Sequence, residues 1–371
     1  MENLTNVTTN STAGFDGLNT DYPSIMAIDK YVTPIICLIG IPGNILSFVI
    51  WMQRRMRHSS GYYLAALALD DLIFLTLHIV FEIHVTWSVS IVDYPVLCET
   101  YPILFIASQY LSPFFVLGFT TERYISICHP FKREKYCTIK RAKIVIVCFA
   151  VFMLCLTAPH GYFFTMESSV CEVRLSVREG HVKSIYNLYN LSVEMLAFFV
   201  VPVAVLVLNI LVILELRRLS RVEQAQLHGS PQRTAATTVM LLAVSFYQII
   251  TTLPVSITYA LQGEFEKPQA GDPDYDRFNH SHMTYNFVQM IIKEYGITHY
   301  AFNFIIYVIT GKMFRQELKR LLLRPFSKLA LHLPRDYTSL RTSVRASENS
   351  RTWVSTNGNH AKEIATSETL L

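Results

Sequence analysis

Charged residues are scarce in this chain. Asp, Glu, Lys and Arg make up 16% of the 371 residues, whereas hydrophobic residues make up 51%. Soluble domains contain roughly 25% charged residues, so this composition argues against a soluble protein and for a membrane protein. The formal net charge is only +4, which does not indicate a nucleic-acid-binding protein.

Several features that define other functional classes are missing. The sequence has no serine and histidine paired with an acid, no cluster spaced for metal binding and no phosphate-binding loop, so no enzyme is expected. It also lacks the repeated halves of many transporters and the regularly spaced arginines of a voltage sensor. A transporter or channel therefore stays as an alternative only. Because no charged stretch followed by an apolar one occurs near the N-terminus, no cleavable signal peptide is expected.

Long hydrophobic runs are abundant. A bilayer core about 30 Å thick requires roughly 20 apolar residues per helix, whereas the strands of a membrane barrel alternate over about 10 residues. Seven runs have the helical length: residues 31–51, 62–87, 97–127, 142–164, 188–216, 237–261 and 285–309. The predicted fold is therefore an all-α bundle of seven transmembrane helices.

The positions of Lys and Arg predict the orientation. One side of the predicted bundle carries most of them: Arg54, Arg55, Arg57, Lys132, Arg133, Lys135, Lys140, Arg141, Lys143, Arg217, Arg218, Arg221, Arg233, Lys312, Arg315, Lys319 and Arg320. An excess of basic residues marks the cytoplasmic side, which places the N-terminus outside. Residues 1–30 are then an extracellular segment, and Asn3, Asn6 and Asn10 are its glycosylation acceptors.

The C-terminal region is predicted to contain two parts. Residues 312–323 form a short amphipathic helix on the membrane surface, which completes a bundle domain of residues 31–323. Residues 324–371 are rich in Ser, Thr and Asn and form a disordered cytoplasmic tail. Ser343 and Ser347 are phosphorylation candidates through which arrestin would bind, and Thr369-Leu370-Leu371 fits a PDZ ligand.

The seven cysteines divide by predicted location. Five lie within the membrane or on the cytoplasmic side, where thiols stay reduced. Only Cys98, at the outer start of the third run, and Cys171, in the second outer loop, face an oxidising space. A disulfide between them would fix the loop to the bundle, and two free thiols are the alternative.

The third run ends in a short charged motif, Glu122-Arg123-Tyr124, with Arg123 25 positions after Cys98. Through this spacing, residues 31–323 resemble the rhodopsin-like (class A) G-protein-coupled receptors. Other matching segments are Gly43-Asn44, 67–72, Pro202, Pro254, 303–307 and 311–315. The resemblance implies a multi-pass receptor of the plasma membrane whose ligand drives nucleotide exchange on a heterotrimeric G protein.

The resemblance also implies roles for individual residues. Asp71 would be a buried acid that is hydrogen-bonded to Asn44 and Asn303 and holds a sodium ion or water cluster, with helix packing as its alternative role. No other cofactor is expected. Glu122 would hold Arg123 in a charge-assisted pair until the sixth helix opens. Three further positions complete the coupling and activation network: Tyr124, Pro254 and Tyr307.

Some positions depart from the motifs of the family. Phe304 replaces the usual Pro of the seventh helix, Thr252 replaces the Trp two residues before Pro254, and Gln248 replaces a Phe. An aromatic toggle is therefore not expected to work here as in the best-known members. The motifs N-F-x-x-Y and G-K-x-F-R resemble those of invertebrate neuropeptide receptors, including FMRFamide-type receptors.

The predicted ligand pocket lies in the outer half of the bundle. Phe105 occupies the position at which monoamine receptors carry an Asp, so a monoamine ligand is not expected. Charged groups at this depth usually face an aqueous cavity, and the remaining candidates are Glu82, Gln109, Glu194, Lys293 and Glu294. Their mixed charge favours a short, basic or amidated peptide. Two alternatives remain open, namely a purely structural Glu82–Lys293 pair and a small-molecule chemosensory receptor, for example for an amino acid.

Overall fold

The computed structural model describes residues 23–179, 184–225, 232–265 and 275–330. The predicted glycosylation and tail sites lie outside these residues: Asn3, Asn6, Asn10, Ser343, Ser347 and residues 369–371. The chain divides into two units, residues 1–315 and 316–371, and each is described by itself.

Helices make up most of the first unit. In chain order they are α1 (Pro23–Trp51), α2 (Ser59–Val85), α3 (Pro95–Cys128), α4 (Pro130–Tyr136), α5 (Ile139–Thr157), α6 (His160–Phe163), α7 (Leu175–Arg178), α8 (Ile185–Met195), α9 (Val201–Ala225), α10 (Gln232–Leu261) and α11 (Tyr275–Thr310). A π-helical turn, Leu196–Val200, joins α8 to α9. Pro202 lies two residues after this turn and has no N–H to donate to the preceding turn, which accounts for the local irregularity.

Six helical segments in the described residues are long and apolar enough to cross a membrane: Ile28–Trp51, Ser59–Val85, Pro95–Cys128, Ile139–Phe163, Ile185–Arg221 and Thr238–Phe265. The seventh predicted run forms α11, which is long enough but is not in this group. Polar residues, among them Lys293 and Glu294, reduce its mean hydropathy. The helix tolerates them because it packs between α1 and α10.

A disulfide marks one end of the bundle. Cys98 and Cys171 are bonded with an S–S distance of 1.99 Å and a Cα–Cα distance of 5.5 Å, which confirms the predicted pairing. Cys171 lies in β2 (Val170–Val173), which pairs in antiparallel register with β1 (Phe164–Glu167). The bond therefore fixes this hairpin to the first turn of α3. We call this the disulfide end, and we call the opposite end of α3 the Arg123 end.

The core forms where α1, α2 and α11 approach closely. A buried cluster joins residues of all three helices: Ile36, Cys37, Phe74, Leu75, Tyr300 and Ala301. A side chain could not replace Gly40, because a Cβ atom there would lie 2.5 Å from Leu75 Cδ1 and 2.8 Å from Ala301 Cβ. Large apolar side chains such as Leu38, Ile144 and Ile257 are exposed on the outside. This distribution is typical of a bundle that faces lipid.

The final described helix, α12 (Lys312–Ala330), extends beyond the predicted boundary at residue 323. Its first turn belongs to the first unit, where Phe314 is fully buried against Trp51 and Tyr307. Within the second unit, Arg320 Nη1 donates to Glu317 Oε1 over 2.7 Å. The helix is amphipathic, as its sequence predicts.

Candidate functional site

At the Arg123 end, two serines hold the charged motif. Glu122 Oε1 accepts hydrogen bonds from Ser59 Oγ over 2.6 Å and from Ser60 Oγ over 2.7 Å. Arg123 Nη2 donates to Ser60 Oγ over 2.5 Å. The structure records no direct Glu122–Arg123 ion pair among the described residues. The predicted charge-assisted pair is therefore corrected to a relay in which Ser60 accepts from Arg123 and donates to Glu122.

The position of the serines at the start of α2 explains this relay. Their side chains are short, and the N-terminal end of a helix carries a partial positive charge that stabilises a nearby carboxylate such as that of Glu122. Burial lowers the pKa of the neighbouring His58, so this imidazole is uncharged at neutral pH and does not compete with Arg123. Tyr124 does not join the relay and instead packs edge-on against His129.

In the centre of the bundle, Asp71 is fully buried. Its Oδ2 accepts from Asn303 Nδ2 over 2.8 Å, and the side chain of Ser112 lies nearby. Asn44 is not a direct partner of Asp71, contrary to prediction, because its Nδ2 donates to the carbonyl oxygen of Tyr300 over 2.7 Å.

Several buried oxygen atoms around this centre have no hydrogen-bond partner in the described part of the chain: Asp71 Oδ1, Asn44 Oδ1, Ser47 Oγ and Tyr307 Oη. Unpaired buried polar atoms are costly. Carboxylate, amide and hydroxyl oxygens are ligands for hard cations and for water. The residues present therefore fit the predicted sodium ion or water cluster.

Polar side chains linked by hydrogen bonds lie on α10 at the positions where the best-known rhodopsin-like receptors carry an aromatic toggle. Thr252 Oγ1 donates to the carbonyl oxygen of Gln248 over 2.8 Å, and Gln248 Nε2 lies 3.5 Å from Ser112 Oγ on α3. Nearer the Arg123 end, Asn209 Nδ2 donates to Ser245 Oγ over 2.7 Å and joins α9 to α10. The α10 residues of these contacts all precede Pro254 in the helix.

At the disulfide end, the predicted pocket residues divide between helices. Glu194 is 2% exposed, and its Oε2 accepts from Tyr110 Oη over 2.5 Å. Lys293 Nζ lies 5.3 Å from the ring centroid of Tyr259 and close enough to Glu194 for electrostatic attraction. Lys293 and Glu194 therefore form one charge-balanced group beside two tyrosines.

Glu82 and Glu294 form separate contacts. Glu82 Oε2 accepts from Thr86 Oγ1 over 2.6 Å, and Glu294 Oε1 accepts from Thr33 Oγ1 over 2.9 Å. Within the described ranges no Glu82–Lys293 ion pair occurs, so the alternative in which these two residues serve only each other is wrong.

Phe105 and Gln109, two further residues of the predicted pocket, contact neighbouring helices. Phe105 stacks with four aromatic rings at centroid distances of 5.3 to 6.0 Å: Phe74, His78, Phe81 and Tyr101. Gln109 contributes its backbone carbonyl, which accepts from Tyr300 Oη over 2.5 Å. Phe105 therefore belongs to an aromatic layer between α2 and α3.

This architecture of long apolar helices, a disulfide-bound hairpin and buried polar groups along the axis defines a seven-helix membrane receptor. The sequence model of the seven transmembrane receptor (rhodopsin family) matches residues 43–307. The chain belongs to this family, whose members are multi-pass membrane receptors, and α11 is its seventh transmembrane helix.

Known relatives of the chain include receptors named for peptides. It is 27% identical over 304 residues to an FMRFamide receptor of Drosophila melanogaster, covering 76% of this chain and 51% of the relative. It is 32% identical over 182 residues to a thyrotropin-releasing hormone receptor of Mus musculus (45% and 43%). It is 28% identical over 230 residues to neuromedin-U receptor 2 of Rattus norvegicus (59% and 58%). The chain spans about half the length of these relatives.

Proposed function

We propose that this protein is a plasma-membrane receptor for a short peptide and that it activates a heterotrimeric G protein. The observation that carries this proposal is the contact of Arg123, a half-buried cation whose side chain is held by the neutral hydroxyl of Ser60. This hydrogen bond can be replaced by a contact between Arg123 and a protein partner at a small cost in free energy. The similarity to receptors for FMRFamide, thyrotropin-releasing hormone and neuromedin U supports the peptide.

The distribution of charge supports an extracellular disulfide end and a cytoplasmic Arg123 end. Basic residues follow α1 and α3 and lie in the C-terminal part of α9 at the Arg123 end, among them Arg54, Lys132 and Arg217, and such an excess is typical of the cytoplasmic side. A disulfide is stable in an oxidising space. The peptide would therefore enter at the disulfide end, and the G protein would bind at the opposite end.

Signal transfer would proceed through α10. A peptide that binds better to one arrangement of the bundle shifts the equilibrium towards it. Movement of α10 about Pro254 would exchange the Gln248–Ser112 and Asn209–Ser245 contacts for others. The Arg123 end would then open, Arg123 would leave Ser60, and its guanidinium would contact the G protein.

The centre around Asp71 would hold a sodium ion in the resting receptor. Asp71, Asn44 and Ser47 would supply oxygen ligands, and the ion would balance the negative charge of the buried carboxylate. A shift of α11 would move Asn303 away from Asp71 and so change the environment of these oxygens.

Two cytoplasmic partners complete the proposal. Phosphorylation of Ser343 and Ser347 after activation would recruit arrestin to the tail. The C-terminal Thr369-Leu370-Leu371 would bind a PDZ domain, in which an extended peptide adds to a sheet edge.

A peptide screen in cells that report calcium and cyclic AMP tests this function. The panel contains FMRFamide, thyrotropin-releasing hormone, a pyrokinin and neuromedin U, and Arg123→Ala is the signalling-dead control. We expect at least one amidated peptide to signal through the wild-type chain and not through Arg123→Ala. A surface-expressed wild type that is silent to the panel but responds to free amino acids would instead identify a small-molecule chemosensory receptor.

A further inference from the structure

Three carboxyl groups from three different helices lie within electrostatic range of one another at the disulfide end. They belong to Asp29 of α1, Glu82 of α2 and Glu294 of α11, and we call them the acid cluster. Glu294 interacts electrostatically with both Asp29 and Glu82, and Glu82 also interacts with Asp29. Thr33 also donates to Glu294 over 2.9 Å, which makes Glu294 the central member.

The positive charges nearby do not balance the acid cluster. Lys30 Nζ lies 4.5 Å from the ring centroid of Trp87, where it makes a cation–π contact. Lys293 is attracted to Asp29 but more strongly to Glu194, beside Tyr110 and Tyr259. Asp29 therefore shares Lys293 with a fourth acid, Glu194, and in the described residues neither Glu82 nor Glu294 has a recorded interaction with a Lys or Arg. Ionisable side chains of one sign within the outer half of a membrane bundle commonly mark a site that binds a ligand of opposite charge.

Unsatisfied polar atoms point into the acid cluster. His78 is 6% exposed, and neither of its ring nitrogens has a hydrogen-bond partner among the described residues. Its Nε2 lies 3.6 Å from Glu82 Oε1, just beyond hydrogen-bond distance. Glu294 Oε2 is buried and also lacks a partner. A ligand that donates several hydrogen bonds would satisfy these acceptors, which the bundle leaves open.

The arrangement favours an organic cation over a metal ion. In the described residues, no three His, Cys, Asp or Glu side chains lie close enough together to hold a metal ion. A guanidinium group carries five N–H donors in a planar fork and an ammonium group carries three, so either can contact separated carboxylates.

We propose that the acid cluster binds a cationic group of the peptide ligand, with Glu294 as the central acceptor. This inference rests on the proposed peptide-receptor function and extends it to the chemistry of the ligand. The cation is either an Arg or Lys side chain or the N-terminal ammonium group. Asp29, which lies before the first predicted apolar run, thereby joins the ligand site.

A double-mutant cycle between receptor and peptide tests this proposal. The probes are FMRFamide, its analogue with citrulline in place of Arg, its N-acetyl analogue and the analogue with both changes. Each is applied to the surface-expressed wild type and to the variants Glu294→Gln and Asp29→Asn. The matched control is Glu99→Gln, because Glu99 is an exposed acid in the first turn of α3, at the disulfide end. The readout is the concentration for half-maximal nucleotide exchange.

On the wild type and on Glu99→Gln, we expect one neutralised analogue to lose about 30-fold in potency. If the citrulline analogue loses potency, the bound cation is the Arg side chain. If the N-acetyl analogue loses potency, the bound cation is the N-terminal ammonium group. On Glu294→Gln, charged and neutral peptides should become nearly equal. If Glu294→Gln does not reach the surface, Asp29→Asn should reduce the discrimination in the same direction.

Two results would overturn the proposal in distinguishable ways. If Glu294→Gln and Asp29→Asn keep the full wild-type preference for the charged peptide, the acid cluster is not the cation site, although the peptide-receptor function stands. If FMRFamide is inactive, a library of amidated tetrapeptides with Arg or citrulline at each position replaces it. A surface-expressed wild type that is silent to this library contradicts the proposed function, and the inference fails with it.

Discussion

The charged and polar groups at the two ends of the bundle differ in how far their hydrogen bonds are satisfied. At the Arg123 end, Ser59 and Ser60 hold Glu122 and Arg123 within 2.7 Å. At the disulfide end, Glu294 and His78 keep polar atoms without partners among the described residues. Arg123 Nε also lacks a partner in the described residues, so the difference lies in the relay through Ser60, which must be broken, and in the open acceptors at the disulfide end, which a ligand can fill. The difference agrees with a molecule that receives a ligand at one end and releases a contact at the other.

The largest effect is expected from Arg123→Ala. This change removes the guanidinium that would contact the G protein, and it leaves the disulfide end unchanged. Nucleotide exchange should be abolished, while peptide binding in a radioligand assay stays within about 3-fold of wild type. Normal signalling from well-expressed Arg123→Ala would break the proposed role of the Arg123 end.

Cys171→Ser tests the role of the disulfide end. Without the bond to Cys98, the hairpin of β1 and β2 is held mainly by contacts such as Cys171 N to Asp93 Oδ1. Surface expression or peptide binding should fall by more than about 10-fold, since removal of a native disulfide commonly costs about 2–5 kcal/mol. Cys148→Ser, an exposed free thiol, is the control and should behave as the wild type.

Ser60→Ala tests whether the hydrogen bond from Arg123 to Ser60 restrains the ligand-free receptor. It removes the only recorded hydrogen bond of the Arg123 guanidinium in the described residues, and hydrogen bonds to charged groups contribute about 1.5–3 kcal/mol. Ligand-free nucleotide exchange should rise by about 10-fold. Ser59→Ala, which removes a bond to Glu122 but none to Arg123, should raise it less. Equal basal activity of the two variants would show that Ser60 does not restrain Arg123.

Deletion of residues 369–371 should have the smallest effect. The proposed PDZ ligand lies outside both ends of the bundle, so peptide potency and nucleotide exchange should stay at wild-type values. Recovery of PDZ proteins from a pull-down should be lost. A pull-down that does not change on deletion would remove the PDZ partner from the account.

The fold was predictable because long hydrophobic runs have few alternative explanations. The disulfide followed from topology, since only Cys98 and Cys171 fall on the predicted outer side. The Asp71–Asn303 contact was also predictable, because an acid within a membrane requires a partner. Asn44 was assigned to the wrong acceptor, since a backbone carbonyl such as that of Tyr300 leaves no mark in a sequence.

The details of both ends were harder to predict. Ser59 and Ser60 precede the second apolar run, where helix-starting residues are expected, but nothing in the sequence places them beside Glu122. Asp29 lies just before the predicted start of the first run, so its contact with Glu294 depends on an earlier start of α1. Such contacts join residues that are far apart in the chain, and the helix packing that creates them is not visible in local patterns.

The most direct test of the central claim uses the purified chain in lipid nanodiscs with a purified heterotrimeric G protein. The measurement is the rate of GDP release with and without the active amidated peptide. We predict that the peptide accelerates release by the wild type, that Ser60→Ala accelerates it without peptide, and that Arg123→Ala leaves it at the rate of the G protein alone. Peptide binding without any change in GDP release, or peptide-driven solute flux in proteoliposomes, would contradict the account.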